Sequence, residues 1–497
     1  MAEMIRTIDG YLWGDAFIIA TIAIGIYLTV RSGFFAFAKF GHICKNTIGK
    51  VFEKKEYREG TLSPFEALCI AVGGTVGTGN ISGVAAAIAV GGPGAVFWLW
   101  LYAVLGMTIK VVEVTLACYY RSKTPEGEFF GGPSFYMEKG LGKDKGLKFG
   151  VIFAWMFGLF FSLQWICSGQ IYAAAESLNT SFGVPPLLFI AIYSVFLFYI
   201  INKGVSGLGR IASKAVPVMT VLYILGGIVM ILVNIRSVPT VFALIFTSAF
   251  KGTAAVGGFA GATMRLAVQK GLSRAVNSNE AGQGSSPMVH ASSDTMHPVQ
   301  QGLWGAMEVF IDTIIVCTIT ALSILCTGVW DSGLTSVTLT TKAFETTFGQ
   351  AGVLFVGTMM ALFAITTNGG WYSYYNTLLN HALQKHDSLR LKASKWFRII
   401  FPIPMIIFTS MLFWTDAGAN VFWDFIDACV ALPIYVNLLS ILLLSSTFFK
   451  LLKDYKARYL HIGKVDPDFK YFYDTEPNEE AKAYDKKLLE EQSQGGK

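Results

Sequence analysis

"GGTVGTGNISG", residues 73–83, interrupts an apolar run over residues 65–90 that is long enough to cross a bilayer. A helix in lipid must satisfy its own backbone polar groups, and five glycines in these eleven residues, with two threonines and an asparagine, work against that. The stretch makes sense where peptide groups released from the helix act as ligands. Freed N–H groups attract a carboxylate, and freed carbonyls attract a cation or an ammonium.

The surrounding chain is that of a polytopic membrane protein. Of its 497 residues 53% are hydrophobic and 14% charged, which fits no mixture of soluble domains. Thirty-nine Lys and Arg against 33 Asp and Glu give a formal charge of +6, and the basic residues gather in loops between apolar runs, so they speak for topology and against a nucleic-acid partner. Seven cysteines are scattered through apolar runs without metal-ligand spacing and read as reduced core residues. The N-terminus lacks the pattern of a cleaved secretory signal, so the first apolar run is expected to remain in the protein.

Runs able to span the membrane lie at 15–31, 65–90, 94–118, 149–178, 185–202, 213–234, 240–266, 300–327, 350–380, 397–414 and 418–447, about eleven transmembrane helices in an all-α fold. Basic residues collect at 31–58, 121–148, 203–214, 265–274 and 385–398, which makes those segments cytoplasmic. The expected location is the cytoplasmic membrane, with the N-terminus outside and the C-terminus inside. Four parts follow: an extra N-terminal helix with a basic segment over 1–62, five helices over 63–236, five over 237–450, and a polar, solvated cytoplasmic tail over 451–497.

An odd number of helices per half makes the two halves a 5+5 inverted repeat. The first helix of the second half, "TAAVGGFAGATMRLA" over 253–267, carries its own interruption at Gly257, Gly258 and Gly261, and glycine-broken helices in matching positions point to a binding site near the bilayer midplane. Glycine in membrane helices also permits close packing; Gly83, Gly91, Gly92 and Gly94 are read that way or as turns.

The motifs "TVGTGNISGVAAAIAVGGPGAVFWLW", "GGFAGAT", "SNEAGQGSSP", "HPVQQGL" and "FIDTIIVCTITAL" resemble those of the alanine or glycine:cation symporters over residues 11–450. The resemblance implies a leucine-transporter-type fold that carries a small neutral amino acid, such as alanine or glycine, together with sodium. It implies that Thr78, Gly79 and Asn80 hold the substrate carboxylate, with Gln170 and Trp371 in the pocket. It also implies that the Gly73 and Val76 carbonyls face sodium together with Thr366 and Thr367, a set of hard oxygen donors. Adjacent threonines in a span otherwise bond to their own helix. Gly258, Phe259 and Thr263 are expected to close the pocket around a methyl-sized side chain. Gln283 and Asn368 depart from the family pattern, and Asn368 suits a substrate larger or more polar than glycine.

Charged residues inside spans are functional candidates. Lys110 and Glu113 are spaced to neutralise one another, whereas Glu308 and Asp312, four apart on one face, juxtapose like charges and supply an alternative, proton-coupled symport. The six histidines, His42, His290, His297, His381, His386 and His461, fall in predicted loops or helix ends. "SNEAGQGSS" lacks the Lys-Ser/Thr ending of a phosphate loop and reads as a cytoplasmic gate or packing loop. The spans hold no nucleophile–base pair or ligand cluster for an enzyme, and two inverted breaks suit alternating access better than a channel. No organic cofactor and no obligate protein partner is implied; the partners are the amino acid, sodium and the lipid bilayer.

Overall fold

The computed structural model describes residues 2–51, 53, 55, 57–166, 169–251, 264–415 and 419–495. These residues are overwhelmingly helical, with a single two-stranded hairpin pairing Ser122–Lys123 with Phe129–Phe130. Seven helices among them are long and apolar enough to cross a membrane: Gly10–Arg31, Ala95–Tyr119, Gly204–Val233, Pro298–Cys326, Gln350–Ala382, Asp387–Trp414 and Phe425–Leu443. Two shorter apolar helices, Phe149–Leu163 and Pro186–Asn202, accompany them. The described cysteines are all free.

The first broken span begins with a capping box. Ser63 Oγ accepts from the Glu66 N–H and the Glu66 carboxylate accepts from the Ser63 N–H, with Pro64 opening the helix. The helix runs Pro64–Thr75, leaves helical geometry at Val76 (φ −72°, ψ 91°), and resumes as Gly79–Gly91 after a bend of 49°.

Close helix crossings depend on small residues. In Pro298–Cys326, a Cβ on Gly302 would meet Thr115 Oγ1 at 2.6 Å, and one on Gly305 would meet Val114 at 2.9 Å, so this span lies tightly on Ala95–Tyr119. Gly370 approaches the Gly74 backbone in the same way, at 2.9 Å, which brings Gln350–Ala382 onto Pro64–Thr75.

Three features differ from the sequence reading. The first is the run 240–266. Val238–Lys251 is a helix whose end meets the start of Ala95–Tyr119: Trp98 Nε1 donates to the Ala249 carbonyl at 3.2 Å, and Gly94 abuts Ser248. Residues 252–263, which include the expected Gly258, Phe259 and Thr263, lie outside the described residues. The chain resumes at the same end, where Arg265 pairs with Asp15 at 2.9 Å and Gly271 sits against Ala95. Phe242, near the start of Val238–Lys251, stacks on Trp100 at 5.8 Å, as Ala249, near its end, meets Trp98. This helix therefore starts and finishes near one face, and the crossing belongs to Met264–Asn279, a break at 280–286, and Pro287–His290. That crossing reaches the opposite face at Leu62, which exchanges backbone hydrogen bonds with Ser292 and Asp294. Residues 265–274 thus share the face of the first span's start, not that of the basic loop at 31–58.

The second difference is the tail, which is docked and not free. Tyr471 and Phe472 are each 4% exposed. Asp474 pairs with Lys139 at 2.6 Å, Asn478 donates to Asp294 at 3.0 Å, and Asp485 receives Arg458 at 2.8 Å.

The third difference is the pairing of intramembrane charges. Lys110 pairs with Glu308 at 3.6 Å, not with Glu113, and Glu113 instead accepts from Asn437 at 2.5 Å. Glu308 also faces His290 at 3.0 Å and Ser286, whereas Asp312 accepts from Ser278, Thr313 and Asn80 at 2.6–2.7 Å. The two acids therefore serve separate donor sets, and His290 is a fully buried member of the network.

Candidate functional site

Both breaks open on one cavity of about 120 Å³. The first contributes Gly74, Thr75, Thr78, Gly79, Ser82 and Gly83; the second contributes Arg274 and Asn277 before it and Glu280 and Gln283 within it. Gln164, Trp165 and Gln170 come from the Phe149–Phe182 region, and Asn368, Trp371 and Tyr375 from the Gln350–Ala382 helix.

At the first break the chain exchanges its backbone partners for side chains. The Gly77 N–H, no longer bonded to the Gly73 carbonyl, donates to Asn80 Oδ1 at 2.9 Å. The Thr78 N–H and hydroxyl both donate to Gln170 Oε1, at 3.0 and 2.8 Å. The Gly74 carbonyl receives Trp371 Nε1 at 3.3 Å, and the indole stacks on Phe161 with ring centres 5.7 Å apart. Gly77 has no room for a side chain: its Cβ would stand 2.7 Å from Thr367 Oγ1 and 2.8 Å from Gln170 Oε1. Gly79 is the opposite case, with nothing within 4 Å of a Cβ, because that position faces the open cavity.

The expected carboxylate-binding residues therefore separate. Thr78 and Gly79 face the cavity with Gln170 and Trp371. Asn80 is fully buried behind it, where its amide nitrogen donates to Ser278 at 2.9 Å and to Asp312 at 2.7 Å while its oxygen caps Gly77. Asn80 thus ties the two broken helices and the Pro298–Cys326 span together, a positioning task.

Two of the expected cation residues, Gly73 and Thr366, meet on the far side of the break. Gly73 lies against Thr366, whose Cβ is 3.4 Å from a Cβ built on the glycine, and Val76 is fully buried. The two threonines differ. Thr366 Oγ1 donates to its own helix at Phe363 (3.0 Å) and Leu362 (3.2 Å), whereas Thr367 Oγ1 is buried without a hydrogen-bond partner beside Gly77. A buried hydroxyl left unpaired is costly, and a hard cation held between it and the carbonyls of the break would satisfy it. Hydroxyl and carbonyl oxygens of this kind are the donors that a small hard cation takes.

The second break was missed as a site. "SNEAGQGSSP" turns through Glu280 (φ +53°), Gly282 (φ +90°) and Gly284 (φ +80°), and Gly284 in this left-handed conformation packs where a Cβ would strike Pro133. Lys110 anchors the loop by donating to the Glu280 carbonyl at 3.1 Å and Ser286 Oγ at 2.8 Å, and Ser285 donates to the Glu280 carboxylate. Gln283 Nε2 donates to Gln164 Oε1 at 2.9 Å, which leaves Gln164 Nε2 buried without a partner at the cavity wall. At the rim, Arg274 pairs with Asp427 at 3.3 Å, and Asn277 donates to the same carboxylate. Gly83, expected to be a packing glycine, lines the cavity beside Arg274. The available signal was the matched placement of two glycine-rich polar stretches in the two halves.

The sodium:alanine symporter family matches residues 1–470 of this chain. The chain is 35% identical over 450 residues to a sodium/alanine symporter, AgcS, of Methanococcus maripaludis, covering 89% of this chain and 94% of that protein. It is 36% identical over 476 residues to a probable sodium/glutamine symporter, GlnT, of Bacillus subtilis, covering 94% and 93%. Its fold is shared with that of a Na+-coupled sialic acid symporter solved in a substrate-bound outward-open state, at a TM-score of 0.53 and 14% identity over 91% of this chain and 92% of that one. The chain belongs to the sodium:alanine symporter family, and is a multi-pass membrane transporter with a leucine-transporter-type fold and not an enzyme.

Proposed function

We propose that this protein is a sodium-coupled symporter of a small neutral amino acid such as alanine or glycine, working by alternating access. The observation that carries the reading is the first break, with Thr78 and Gly79 facing a cavity of about 120 Å³ and the unpartnered Thr367 hydroxyl behind it at Gly77. In this reading sodium binds between the Gly73 and Val76 carbonyls, Thr366 and Thr367, and fixes the shape of the break. The substrate carboxylate takes the N–H groups around Thr78 and Gly79, where Gln170 Oε1 now accepts, and Trp371 closes one side. Sodium and substrate then bind cooperatively, because the ion preorganises the donors that the carboxylate needs.

The topology we propose has eleven crossings: an N-terminal helix, then two inverted five-helix repeats whose first members are Pro64–Gly91 and Met264–His290. The N-terminus is outside and the tail cytoplasmic, as the basic segments at 31–58, 121–148 and 385–398 support.

A second substrate reading, glutamine, is favoured by the amides at the wall. Gln164, Gln283 and Asn368 all line the cavity, and the free Gln164 Nε2 would suit a side-chain carbonyl.

The test is uptake by proteoliposomes of labelled alanine, glycine and glutamine under an inward sodium gradient, against potassium-only and proton-gradient controls. Sodium-dependent accumulation of alanine or glycine over glutamine supports the first reading, and the reverse order supports the second. Uptake driven by protons alone refutes sodium coupling and turns attention to Asp312 and Glu308.

A further inference from the structure

A groove of about 650 Å³ opens on the outside of the helical bundle between Phe149–Leu163, the last turns of Gln350–Ala382, and Asp387–Trp414. Its walls are almost wholly apolar, yet Trp155, Leu159 and Trp396 are 56%, 63% and 64% exposed. In a membrane-embedded chain such exposure is to hydrocarbon, and tryptophans at both margins are the residues that sit at a membrane interface. The floor is left open by Gly158, where a Cβ would meet nothing nearer than Ser134 Oγ at 4.0 Å.

One end of the groove is basic. His381 and Ala382 line it and end their helix, and Lys385 follows one turn on. Lys392 lies one turn before Trp396, and Lys148 immediately precedes the helix that carries Trp155. All three lysines are exposed, and none has an ion-pair partner among the described residues. The nearby acids are already engaged: Glu138 with His381 at 2.8 Å and Gln384 at 3.0 Å, and Asp387 with Arg390 at 3.3 Å. The local charge is therefore left positive.

The inner end of the groove is the wall of the central cavity. Trp165 and Tyr375 line both spaces. Trp165 Nε1 donates to the Phe401 carbonyl at 2.8 Å and its ring lies parallel to that of Phe401, while the Tyr375 hydroxyl donates to the Phe161 carbonyl at 3.4 Å.

We propose that this groove binds an anionic phospholipid, with one acyl chain between Trp155 and Trp396 and the headgroup on Lys148, Lys385 and Lys392. The bound chain braces the Trp165–Tyr375 wall from outside, so that lipid occupancy tunes the cavity; this last consequence alone rests on the cavity being the transport site. Apolar walls select a chain, and the unpaired lysines select a negative headgroup.

The test uses the full-length protein in phosphatidylcholine vesicles containing phosphatidylglycerol with a photoactivatable diazirine on one acyl chain, followed by peptide mapping of the label. Label is expected on the peptides of Trp155, Leu159 and Trp396, and unlabelled phosphatidylglycerol should displace it where phosphatidylcholine does not. Each of Lys148→Gln, Lys385→Gln and Lys392→Gln should lower labelling about fivefold. Gly158→Leu, which fills the groove and leaves the lysines in place, should remove it. Label spread evenly over the spans, or equal capture of a phosphatidylcholine probe, would each overturn the proposal. Because the readout is the position of the label, it stands apart from whether any amino acid is carried.

Discussion

Thr78 gives both its backbone N–H and its hydroxyl to a single atom, the side-chain oxygen of Gln170, at 3.0 and 2.8 Å. These are the donors that the proposed carboxylate would use, so Gln170 holds the break in shape and yields an acceptor position to the substrate. Replacing it by alanine leaves the Thr78 donors unheld before substrate arrives, and the cost of ordering them on binding, about 1–1.5 kcal/mol, should raise the KM for uptake about tenfold. Gln170→Glu keeps the acceptor but sets a negative charge against the carboxylate, and should be the worse of the two. Equal KM values for the glutamate variant and the parent would move the carboxylate elsewhere.

The two threonines of the cation set should separate experimentally. Thr366 already spends its hydroxyl on the Phe363 and Leu362 carbonyls, while the Thr367 hydroxyl has no partner. Thr367→Ala should therefore raise the sodium concentration for half-maximal uptake at least about tenfold, and Thr367→Ser should restore it; Thr366→Ala should shift it less. A larger effect at Thr366, or none at either position, would reject this ion site.

Gly77 and Gly79 differ by two positions and should fail in different ways. A methyl at Gly77 runs into Thr367 Oγ1 and Gln170 Oε1 below 3 Å, so Gly77→Ala should lower the melting temperature of the detergent-solubilised protein. Gly79→Val projects into open cavity space, so that variant should fold and melt normally yet bind no substrate. Thermal unfolding together with ligand-induced stabilisation distinguishes the two outcomes. A Gly79→Val protein that still gains stability from alanine would remove Gly79 from the site.

Arg274 and Asp427 close the rim of the cavity from two different helices, at 3.3 Å and with side chains 21% and 14% exposed. A partly solvated pair of this kind couples by about 1 kcal/mol, or roughly fivefold in an equilibrium. Asp427→Asn and Arg274→Gln should each speed exchange of bound substrate, and the double variant should be no worse than either single one. Strictly additive effects would mean that the two side chains act independently.

The first break was legible because a helix that must close its own hydrogen bonds in lipid gains nothing from clustered glycines and threonines unless its backbone opens there. The second was not, because Met264–Asn279 carries Arg265, Lys270 and Arg274 and looks like a basic loop, while Val238–Lys251 is apolar enough to pass for the crossing. What reverses the assignment is tertiary. Ala267, Gly271, Ala275 and Val276 are buried, and both arginines, Arg265 and Arg274, find Asp15 and Asp427, residues far away in sequence. The same holds for Lys110, whose nearest acid in sequence, Glu113, is not its partner. Helical spacing makes a pairing feasible, but the Glu308 that meets Lys110 arrives on another helix.

The docked tail makes a prediction that depends on acid. Asp294, 5% exposed, accepts from the Arg58 backbone N–H at 3.0 Å, from the Arg58 guanidinium at 3.1 and 2.7 Å, and from Asn478 of the tail at 3.0 Å. Burial alone would push its carboxyl up, but these hydrogen bonds, those to Arg58 foremost, outweigh burial and hold it below the ordinary carboxylate range. A carboxyl depressed in the folded state stabilises fully above its unfolded pKa, and loses that contribution as pH falls through the folded value. The melting temperature of the solubilised protein should therefore drop on acidification below about pH 4, the unfolded aspartate value. Asp294→Asn should already be less stable at pH 7, by about 1.5–3 kcal/mol for the lost charge-assisted bonds, and should show a shallower acid decline. Limited proteolysis should at the same time find residues 478–495 cut sooner in the variant, since Asn478 has lost its anchor. Equal melting temperatures for the two proteins at pH 7, with parallel declines from about pH 5 down to about pH 2, would show that Asp294 does not hold the tail.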